Sequence, residues 1–286
     1  MPELPEVETI ARDLNKYLSG KVIKDIKSVN SGKVLQTPLP FFKRSILGKK
    51  IRKVFRRAKM LIIDCGDQYI VFHLKMTGQL IYTDKKTVIA GGHPIVSTGV
   101  KVPNPYTRVI LYFSNGAVLY FNDLRKFGWV KLIAAKDFLS HTIKVGPEPL
   151  DRSFTLKIFQ AALMRRSKSV IKAVLLDQSV IAGLGNIYVD EVLFRAGVRP
   201  SRSIQSLKPA ELKKIFQSIP IILNKSISER GTTFSNFLDP AGLRGNFVSF
   251  LKVYGRKGKA CNKCGRAIKK TRLAGRGTHW CEYCQN

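Results

Sequence analysis

The sequence has 286 residues, with 50 Lys and Arg against 19 Asp and Glu, which gives a formal net charge of +31 at pH 7. Because 44% of the residues are hydrophobic, the chain can build a folded core, which excludes a wholly disordered basic tail. A positive surplus of this size favours a polyanionic partner, and nucleic acid is the densest one. A membrane surface, or a surface adapted to salt or heat, is the alternative.

The first predicted element is a helix close to the N-terminus. Apolar residues recur at helical spacing from Val7 to Leu18, and Gly20 supplies a stop. The acidic start of the chain contains no apolar signal segment. The longest apolar runs, such as residues 68–73, are too short to cross a bilayer. The sequence therefore predicts a soluble, intracellular protein.

The part from residue 21 to about residue 133 has the pattern of β-strands. Short β-rich runs predict strands at 22–29, 51–54, 60–65, 69–74, 79–82, 108–113 and 117–121. A hairpin turn signal, Ser114-Asn115-Gly116, separates the last two runs. Residues 84–105 are rich in Gly and Pro and lack periodicity, so they are predicted to form a long loop. This pattern favours a largely antiparallel sandwich or barrel.

The chain then breaks at Gly146-Pro147-Glu148-Pro149 and becomes helical. Helices are predicted at 155–164, 170–176, 187–196 and 209–229, with the last one interrupted or kinked at Pro220. Gly197 ends the third helix. A loop containing Gly and Pro follows, and it leads into a basic, cysteine-containing C-terminus.

Four of the five cysteines lie in the last 26 residues, as two Cys-x-x-Cys pairs separated by 16 residues. This is the spacing of a zinc ribbon, in which each pair supplies two thiolates to a tetrahedral site. His279 stands beside the second pair, but four thiolates already complete the shell. Cys65 lies in an apolar run and is interpreted as a packed hydrophobic residue. The predicted ligands of one structural zinc ion are Cys261, Cys264, Cys281 and Cys284.

These elements predict an α+β protein made of a β-sandwich with a leading helix and a helical domain that ends in a β-hairpin zinc ribbon. The predicted division is a β-sandwich domain at 1–135, a linker at 136–152, a helical domain at 153–250 and a zinc module at 251–286.

The segment Met1-Pro2-Glu3 offers the clearest reactive group. A small second residue permits removal of Met1, which leaves Pro2 with a free secondary amine. An α-amino group has a reference pKa of about 7.7–8.0, so it can be neutral and nucleophilic near neutral pH. Such an amine forms an iminium with an aldehyde carbon, and Glu3 and Glu6 could transfer protons. Ordinary helix capping by Pro and acidic residues is the alternative.

The N-terminal segment Met1-Pro2-Glu3-Leu4-Pro5-Glu6-Val7-Glu8-Thr9 resembles the start of the formamidopyrimidine-DNA glycosylase family. The members of this bacterial family remove 8-oxoguanine and ring-opened purines. Further blocks resemble the family in the family's order, so the resemblance covers essentially the whole chain. These blocks are residues 56–59, 73–78, 123–128, 146–149, 181–188 and 253–258, together with the zinc ribbon.

The resemblance implies a bifunctional glycosylase and AP lyase. Pro2 would attack C1′ of the damaged nucleotide, and the resulting Schiff base would drive β- and δ-elimination. Glu3 would donate and shuttle protons during base loss, with Glu6 as a supporting carboxylate. Lys59 would be a second proton donor, although from the residues alone a phosphate-binding lysine is favoured. Arg276 would grip phosphates at the lesion and assist the last elimination.

The resemblance also implies how the chain binds damaged duplex DNA. Residues 183–186 would form the turn of a helix-two-turn-helix, whereas the residues alone suggest a turn whose Asn186 caps the next helix. Met76, Arg125 and Phe127 would fill the void left by the extruded base, although Met and Phe in strand-rich segments are more often core residues. The DNA-binding residues implied are His73, Tyr106, Arg125, Lys172, Asn186 and Tyr254.

One segment departs from the family pattern, and a second one does not identify the preferred lesion. Residues 83–106 form a longer loop than expected, and Pro105-Tyr106 stands where many members have a Lys-His pair. A tyrosine hydroxyl could replace the DNA contact of that histidine. Residues 232–250 correspond to the segment that closes over the flipped base in the family, and they do not reveal the lesion preference.

Two other functions stay open on the sequence. One is an oxidised-pyrimidine glycosylase of the endonuclease VIII type, although Leu4 favours the purine branch. The other is a non-catalytic zinc protein that binds DNA or senses damage. The leading prediction is a monomeric enzyme of the bacterial cytoplasm that acts on damaged double-stranded DNA and does not bind membranes.

Overall fold

The computed structural model describes residues 1–92, 101–232 and 245–286. The chain forms two compact units, and each is built from two stretches of sequence. Met1–Ile143 and Glu229–Val248 form the first unit, and Lys144–Ser228 and Ser249–Asn286 form the second. The sequence-based division places residues 229–250 in the helical domain, whereas the structure groups the described residues 229–232 and 245–248 with the first unit.

The first unit contains three helices and nine strands in its described residues. The helices are α1 (Leu4–Leu18), α2 (Leu39–Ile46) and α3 (Phe138–Thr142). The strands are β1 (Ile23–Ser28), β2 (Lys53–Arg57), β3 (Met60–Asp64), β4 (Gln68–His73), β5 (Gly78–Thr83), β6 (Val88–Gly92), β7 (Thr107–Phe113), β8 (Val118–Asp123) and β9 (Trp129–Ala134). One antiparallel sheet has the order β1-β7-β8-β5-β6, and the other has the order β2-β3-β4-β9.

A single apolar core joins α1 to both sheets. Leu14 of α1, Phe72 of β4 and Phe121 of β8 are almost fully buried in this cluster, and the two phenylalanine rings meet edge to face at 5.7 Å. Burial of such side chains away from water is the main force that holds the layers together. The predicted α+β class with an N-terminal β-sandwich is confirmed.

Four elements of the first unit, namely β6, α2, β9 and α3, had no prediction of their own. Residues 84–105 were expected to be a loop, but β6 pairs with β5 across a tight turn. The Asp84 carboxylate makes that turn by accepting from the N–H groups of Lys86 and Thr87. Residues 93–100 of the expected loop lie outside the described residues. Helix α2 is only eight residues long and buries Phe42 and Ile46, which is too short a pattern to predict a helix.

The second unit consists of four α-helices and a strand pair in its described part. The helices are α4 (Leu156–Met164), α5 (Ile171–Leu176), α6 (Asn186–Ala196) and α7 (Pro209–Ser228), and the strands are β10 (Lys269–Leu273) and β11 (Arg276–Trp280). Helix α6 packs against both α7 and β11. Helix α7 continues through Pro220, so of the two predicted alternatives, an interruption or a kink, the interruption is wrong. Among the described residues, every helix is too short or too polar to span a membrane.

Candidate functional site

The start of α1 holds the first group of predicted site residues. Pro2 is buried directly ahead of the helix, and Glu3 is its N-cap residue. Glu3 and Glu6 form a capping box, in which the Glu3 N–H donates to Glu6 Oε2 at 2.9 Å. Both carboxylates are almost completely buried. The two carboxylates that form the cap are the ones predicted to transfer protons, so the two interpretations of this segment are compatible.

The second carboxylate oxygen of Glu6 binds a distant part of the chain. Glu6 Oε1 accepts from the backbone N–H of Thr232 at 2.8 Å and from its hydroxyl at 2.9 Å. Thr232 lies 226 positions further along the sequence. Glu6 thus ties the beginning of α1 to the residue that precedes the stretch 233–244, which lies outside the described residues.

Lys59 lies in the two-residue turn between β2 and β3, and it is only 6% exposed. Ala58 in the same turn has a positive φ of 53°. The hairpin is anchored to α1 because Arg56 Nε lies 2.9 Å from Glu8 Oε2. Burial opposes ionisation of Glu8, but the guanidinium groups of Arg56 and Arg12 outweigh it and hold its pKa below the ordinary value. This ion pair fixes the hairpin that carries Lys59 to the helix that follows Pro2.

His73 is neutral and has a defined ring orientation. Burial, followed by the positive charges of Lys75 and Lys59, lowers the pKa of His73 to about 3. Its Nδ1 accepts from the backbone N–H of Lys75 at 3.1 Å, so the proton of the neutral ring lies on Nε2. The His73 ring also packs against Trp129, with 5.6 Å between the ring centroids. His73 can therefore donate one hydrogen bond from Nε2 to an anion.

Met76, Arg125 and Phe127 come from two separate loops and form one exposed cluster. The Arg125 guanidinium lies 4.5 Å from the centre of the Phe127 ring, and its Nη1 lies 3.4 Å from Met76 Sδ. The side chains of Met76 and Phe127 are about half exposed. Neither side chain belongs to the core, in contrast to the usual position of Met and Phe in strand-rich segments. Tyr106 is near the same loops, since its carbonyl accepts from the Asp123 N–H at 2.9 Å.

In the second unit, the turn between α5 and α6 leads to Asn186. Gly185 is the N-cap residue and Asn186 is the first residue of α6, so the interpretation of Asn186 as a cap is wrong. The Asn186 Nδ2 donates to the carbonyl of Gly277 at 2.9 Å. Gln178 holds the turn by donating to the carbonyls of Leu176 and Leu184 and accepting from the Gly183 N–H.

Lys172 is completely buried in the same unit. Its Nζ lies 2.6 Å from Asp190 Oδ1 and 3.2 Å from the carbonyl oxygen of Gly277. A phosphate contact by Lys172 would require its ammonium to leave this ion pair. In this structure, the Lys172 and Asn186 side chains instead both donate to the carbonyl of Gly277, the residue after Arg276.

Two adjacent acids of α6 connect the helix to the zinc module. Asp190 Oδ2 accepts from the His279 N–H at 2.8 Å. The Glu191 carboxylate accepts from three successive N–H groups, those of Lys252, Val253 and Tyr254, at 2.9–3.1 Å. Burial nevertheless raises the pKa of Glu191. The Tyr254 ring meets the His279 ring edge to face at 4.9 Å, so Tyr254 is fixed through both its backbone and its ring.

The four predicted cysteines form one metal-binding cluster. Their sulfur atoms all lie within 4.8 Å of one another, with 3.9 Å between Cys261 and Cys284 and 3.5 Å between Cys264 and Cys281. Zn–S bonds of about 2.3 Å in a tetrahedron place sulfur atoms about 3.8 Å apart. The cluster therefore fits one structural zinc ion, as predicted, and His279 does not belong to it.

Arg276 is exposed at the tip of the β10–β11 hairpin. Leu273 pairs with Arg276, and the two residues between them, Ala274 and Gly275, have φ values of 48° and 72°. Two successive positive φ values are typical of the tight turns that match the twist of a β-hairpin. Because the zinc cluster and α6 hold the base of this hairpin, the Arg276 guanidinium is presented to solvent on a short, supported turn.

Three family models match the chain. The formamidopyrimidine-DNA glycosylase N-terminal domain matches residues 1–130, the formamidopyrimidine-DNA glycosylase H2TH domain matches 145–237, and the zinc finger found in FPG and IleRS matches 258–286. The formamidopyrimidine-DNA glycosylase of Pelotomaculum thermopropionicum is 42% identical, with 100% of this chain and 99% of that protein covered. The protein of the same name from Herpetosiphon aurantiacus is 39% identical, with 100% of both covered.

Solved structures give the same result. Wild-type Lactococcus lactis Fpg in complex with N7-benzyl-Fapy-dG DNA has a TM-score of 0.85 and 34% identity, with 99% of both chains covered. A complex between Lactococcus lactis Fpg and DNA containing an abasic site has a TM-score of 0.84 and 35% identity, again with 99% of both chains covered.

Proposed function

The chain belongs to the formamidopyrimidine-DNA glycosylase family, and we propose that Pro2 is the nucleophile with which this enzyme acts. It is a base-excision-repair glycosylase for oxidised purines, with the AP lyase activity of its family. The observation that carries the proposal for Pro2 is its setting. The residue is buried at the start of α1, next to two buried carboxylates that are hydrogen-bonded to each other's backbone.

After removal of Met1, the Pro2 nitrogen forms a bond to C1′ of the damaged nucleotide. The C1′–N9 bond breaks, and the base leaves with the bonding electron pair and a proton. We assign delivery of protons during this step to Glu3, with Lys59 as a second donor. The Pro2 nitrogen then loses its proton and forms a double bond to C1′, while the C1′–O4′ bond breaks and O4′ takes up a proton. The resulting iminium is an electron sink, so loss of a C2′ proton expels the 3′ phosphate by β-elimination, and the 5′ phosphate follows by δ-elimination.

Glu6 has a supporting role in this proposal. Both of its oxygens are occupied, one by the Glu3 N–H and one by Thr232. A carboxylate held in this way is a poor proton shuttle but a firm orienting group. We therefore infer that Glu6 fixes the backbone between Pro2 and α1, while Glu3 moves the proton.

We propose that both units supply groups that bind DNA phosphates. In the first unit, His73 would donate from Nε2, and the Tyr106 hydroxyl would take the place of the family histidine. In the second unit, Asn186, Tyr254 and Arg276 would contact the backbone, with the Arg276 fork matched to phosphate oxygens. We assign to Lys172 an indirect role, since its buried ammonium holds the Gly277 carbonyl next to Arg276.

Met76, Arg125 and Phe127 are the proposed void-filling cluster. A base that reacts outside the stack leaves a gap that protein side chains must occupy. An exposed cluster of a thioether, a guanidinium and a ring offers both an apolar wedge and hydrogen-bond donors for the base that is left unpaired, which is cytosine where 8-oxoguanine was paired with it.

Borohydride trapping tests the nucleophile. The parent enzyme should form a covalent adduct with a duplex containing 8-oxoguanine opposite cytosine, and Pro2→Gly should lose both the adduct and strand cleavage. Pro5→Ala, in the first turn of the same helix, is the matched control and should retain both. Trapping and cleavage by Pro2→Gly at the parent rate would refute the role of Pro2. A comparison of 8-oxoguanine with thymine glycol distinguishes the purine branch from the pyrimidine branch.

We further propose that the enzyme acts as a monomer on chromosomal DNA in the bacterial cytoplasm. The net charge of +31 supports this proposal because it disfavours self-association and favours DNA. Light scattering in 0.15 M salt should give the mass of one chain, and a dimer mass would contradict the proposal.

A further inference from the structure

We propose that Thr77 and Asp123 are positioning residues that set the void-filling cluster and, through it, the preference for the base opposite the lesion. The inference rests on the proposed function of Met76, Arg125 and Phe127. It concerns two buried polar residues that lie beneath this exposed cluster and are not part of it.

The Asp123 carboxylate joins both loops of the cluster. Asp123 is fully buried, and its Oδ1 accepts from the Thr77 hydroxyl and from the Arg125 N–H, the latter at 3.2 Å. Its Oδ2 accepts from the Gly128 N–H at 2.6 Å. One carboxylate therefore holds the residue after Met76, the backbone of Arg125 and the residue after Phe127.

The Thr77 hydroxyl completes a closed arrangement. While it donates to Asp123, its oxygen accepts from the Arg125 N–H at 3.1 Å. The Arg125 amide is thus shared between an oxygen of Thr77 and an oxygen of Asp123. The hydroxyl is the only side-chain group of Thr77 that can both donate and accept, so a methyl group in its place removes two contacts at once.

The surrounding backbone makes the arrangement rigid. A Cβ atom on Gly128 would lie 3.0 Å from Asp123 Oδ2 and 2.9 Å from the Phe121 ring, so the loop fits closely against the sheet only with glycine there. Asp123 is also fixed by its own backbone. Its carbonyl accepts from Arg108 Nε at 3.0 Å, and its N–H donates to the Tyr106 carbonyl at 2.9 Å.

Arg125 connects the buried residues Thr77 and Asp123 to the exposed cluster. Its guanidinium packs on Phe127 and contacts Met76, so a shift of the Arg125 backbone displaces all three side chains together. Hydrogen bonds to a base edge depend on position, and their loss costs discrimination between bases. Excision of a base requires side chains to fill the void, whereas no base has to be extruded from a preformed abasic site. The rate of excision should therefore fall more than the rate of cleavage at an abasic site.

Single-turnover kinetics of Thr77→Val test the inference. Loss of both Thr77 contacts should displace the Arg125 backbone, so excision of 8-oxoguanine opposite cytosine should slow about tenfold, which corresponds to about 1.4 kcal/mol. The rate ratio between opposite cytosine and opposite adenine should fall, while nicking of abasic DNA changes less than about twofold, a limit that corresponds to about 0.4 kcal/mol. A 2-aminopurine placed next to the lesion should report incomplete void filling by its fluorescence.

Two further variants separate positioning from folding. Thr77→Ser keeps the hydroxyl and should restore the excision rate and the opposite-base ratio. Thr37→Val is the matched control, because the Thr37 hydroxyl is also buried in this unit and accepts from the Leu132 N–H at 3.0 Å. It should leave both quantities at the parent values. Thermal melting of all variants shows whether they are folded.

Each outcome bears on the inference. Parallel losses of excision and abasic nicking in Thr77→Val, or equal behaviour of the Val and Ser variants, would overturn it. An unchanged opposite-base ratio in a folded Thr77→Val would also overturn it. A parent that neither excises 8-oxoguanine nor nicks abasic DNA would refute the proposed function, and the inference with it.

Discussion

In the first unit, the site residues rest on an apolar sandwich, on hydrogen bonds from N–H and hydroxyl groups and on the partly exposed Arg56–Glu8 ion pair, whereas the second unit adds a completely buried ion pair and a metal cluster to its hydrogen bonds. Glu6 and Asp123 of the first unit accept from N–H and hydroxyl groups. Asp190 of the second unit faces the ammonium of Lys172 with no exposure of either side chain. The apolar cluster beside the four cysteines is small.

The difference fits the role that we propose for each unit. An amine nucleophile must be neutral to react, so its surroundings should be close-packed and contain carboxylates that can exchange a proton. A surface that binds phosphates must carry positive charge, and it needs acids beneath it to orient its cations and polar groups. The second unit adds a buried ion pair and a zinc site to its apolar core, so removal of the metal should affect it more than the first unit.

Removal of zinc should produce the largest effect and should affect the two units differently. The chain has two tryptophans, Trp129 in the first unit and Trp280 in the zinc hairpin, so a Phe substitution at either one leaves a reporter for the other unit. Chelation should change the Trp280 fluorescence, leave that of Trp129 nearly constant and abolish DNA binding. Equal fluorescence changes at both tryptophans, or full DNA affinity after chelation, would show that zinc does not selectively support the second unit.

Asp190→Ala should produce the next largest effect, because it leaves the buried ammonium of Lys172 without its counter-charge. Removing one partner of a buried ion pair costs about 3–5 kcal/mol of unfolding free energy. Urea unfolding followed at Trp280 measures this loss. Replacing both partners with apolar residues, as Asp190→Leu with Lys172→Met, should recover much of the stability.

Glu282→Ala is the matched control for Asp190→Ala. Glu282 pairs with Lys269 on the exposed face of the zinc module, where solvent screens the pair. Its removal should not change the unfolding curve measurably. A similar loss in the two single variants would mean that burial of the Lys172–Asp190 pair is not what stabilises the second unit.

Protonation of His73 should produce the smallest effect, and its influence on the unfolding free energy tests the first unit. The folded pKa of about 3 lies below the ordinary value of 6.5, so the unfolded chain binds more protons between these values. Stability should therefore fall as the pH decreases below 6.5, by up to about 1.4 kcal/mol per pH unit and by about 2 kcal/mol near pH 5.

The variant His73→Gln should flatten this part of the stability profile, since its side chain does not titrate. Urea unfolding followed at Trp129 between pH 7 and pH 5 measures the slope. An identical slope in the parent and the variant would show that His73 does not stay neutral in the folded protein.

Contiguous motifs in the sequence were enough to predict several features. The two Cys-x-x-Cys pairs predicted the metal cluster, because the ligands of each pair are neighbours in the chain. The alternation of β-rich runs and turns predicted the sandwich, since the period of a strand is a local property. The reactive amine of Pro2 was inferred from the residues, whereas the roles of Glu3, Lys59 and Arg276 came from the resemblance of short motifs to the family, and all four roles stay predictions.

Contacts between distant positions were decided only by the tertiary structure. Glu6 binds Thr232 across 226 positions, and Met76 meets Arg125 across 49. The resemblance implied a phosphate contact for Lys172, and the neighbouring residues in the chain do not show that its ammonium faces the buried Asp190. The sequence by itself determined which groups are present and which local elements carry them, because periodicity and motif spacing are local. Folding decided which carboxylate each cation and each loop faces, because burial and pairing depend on residues far apart in the chain.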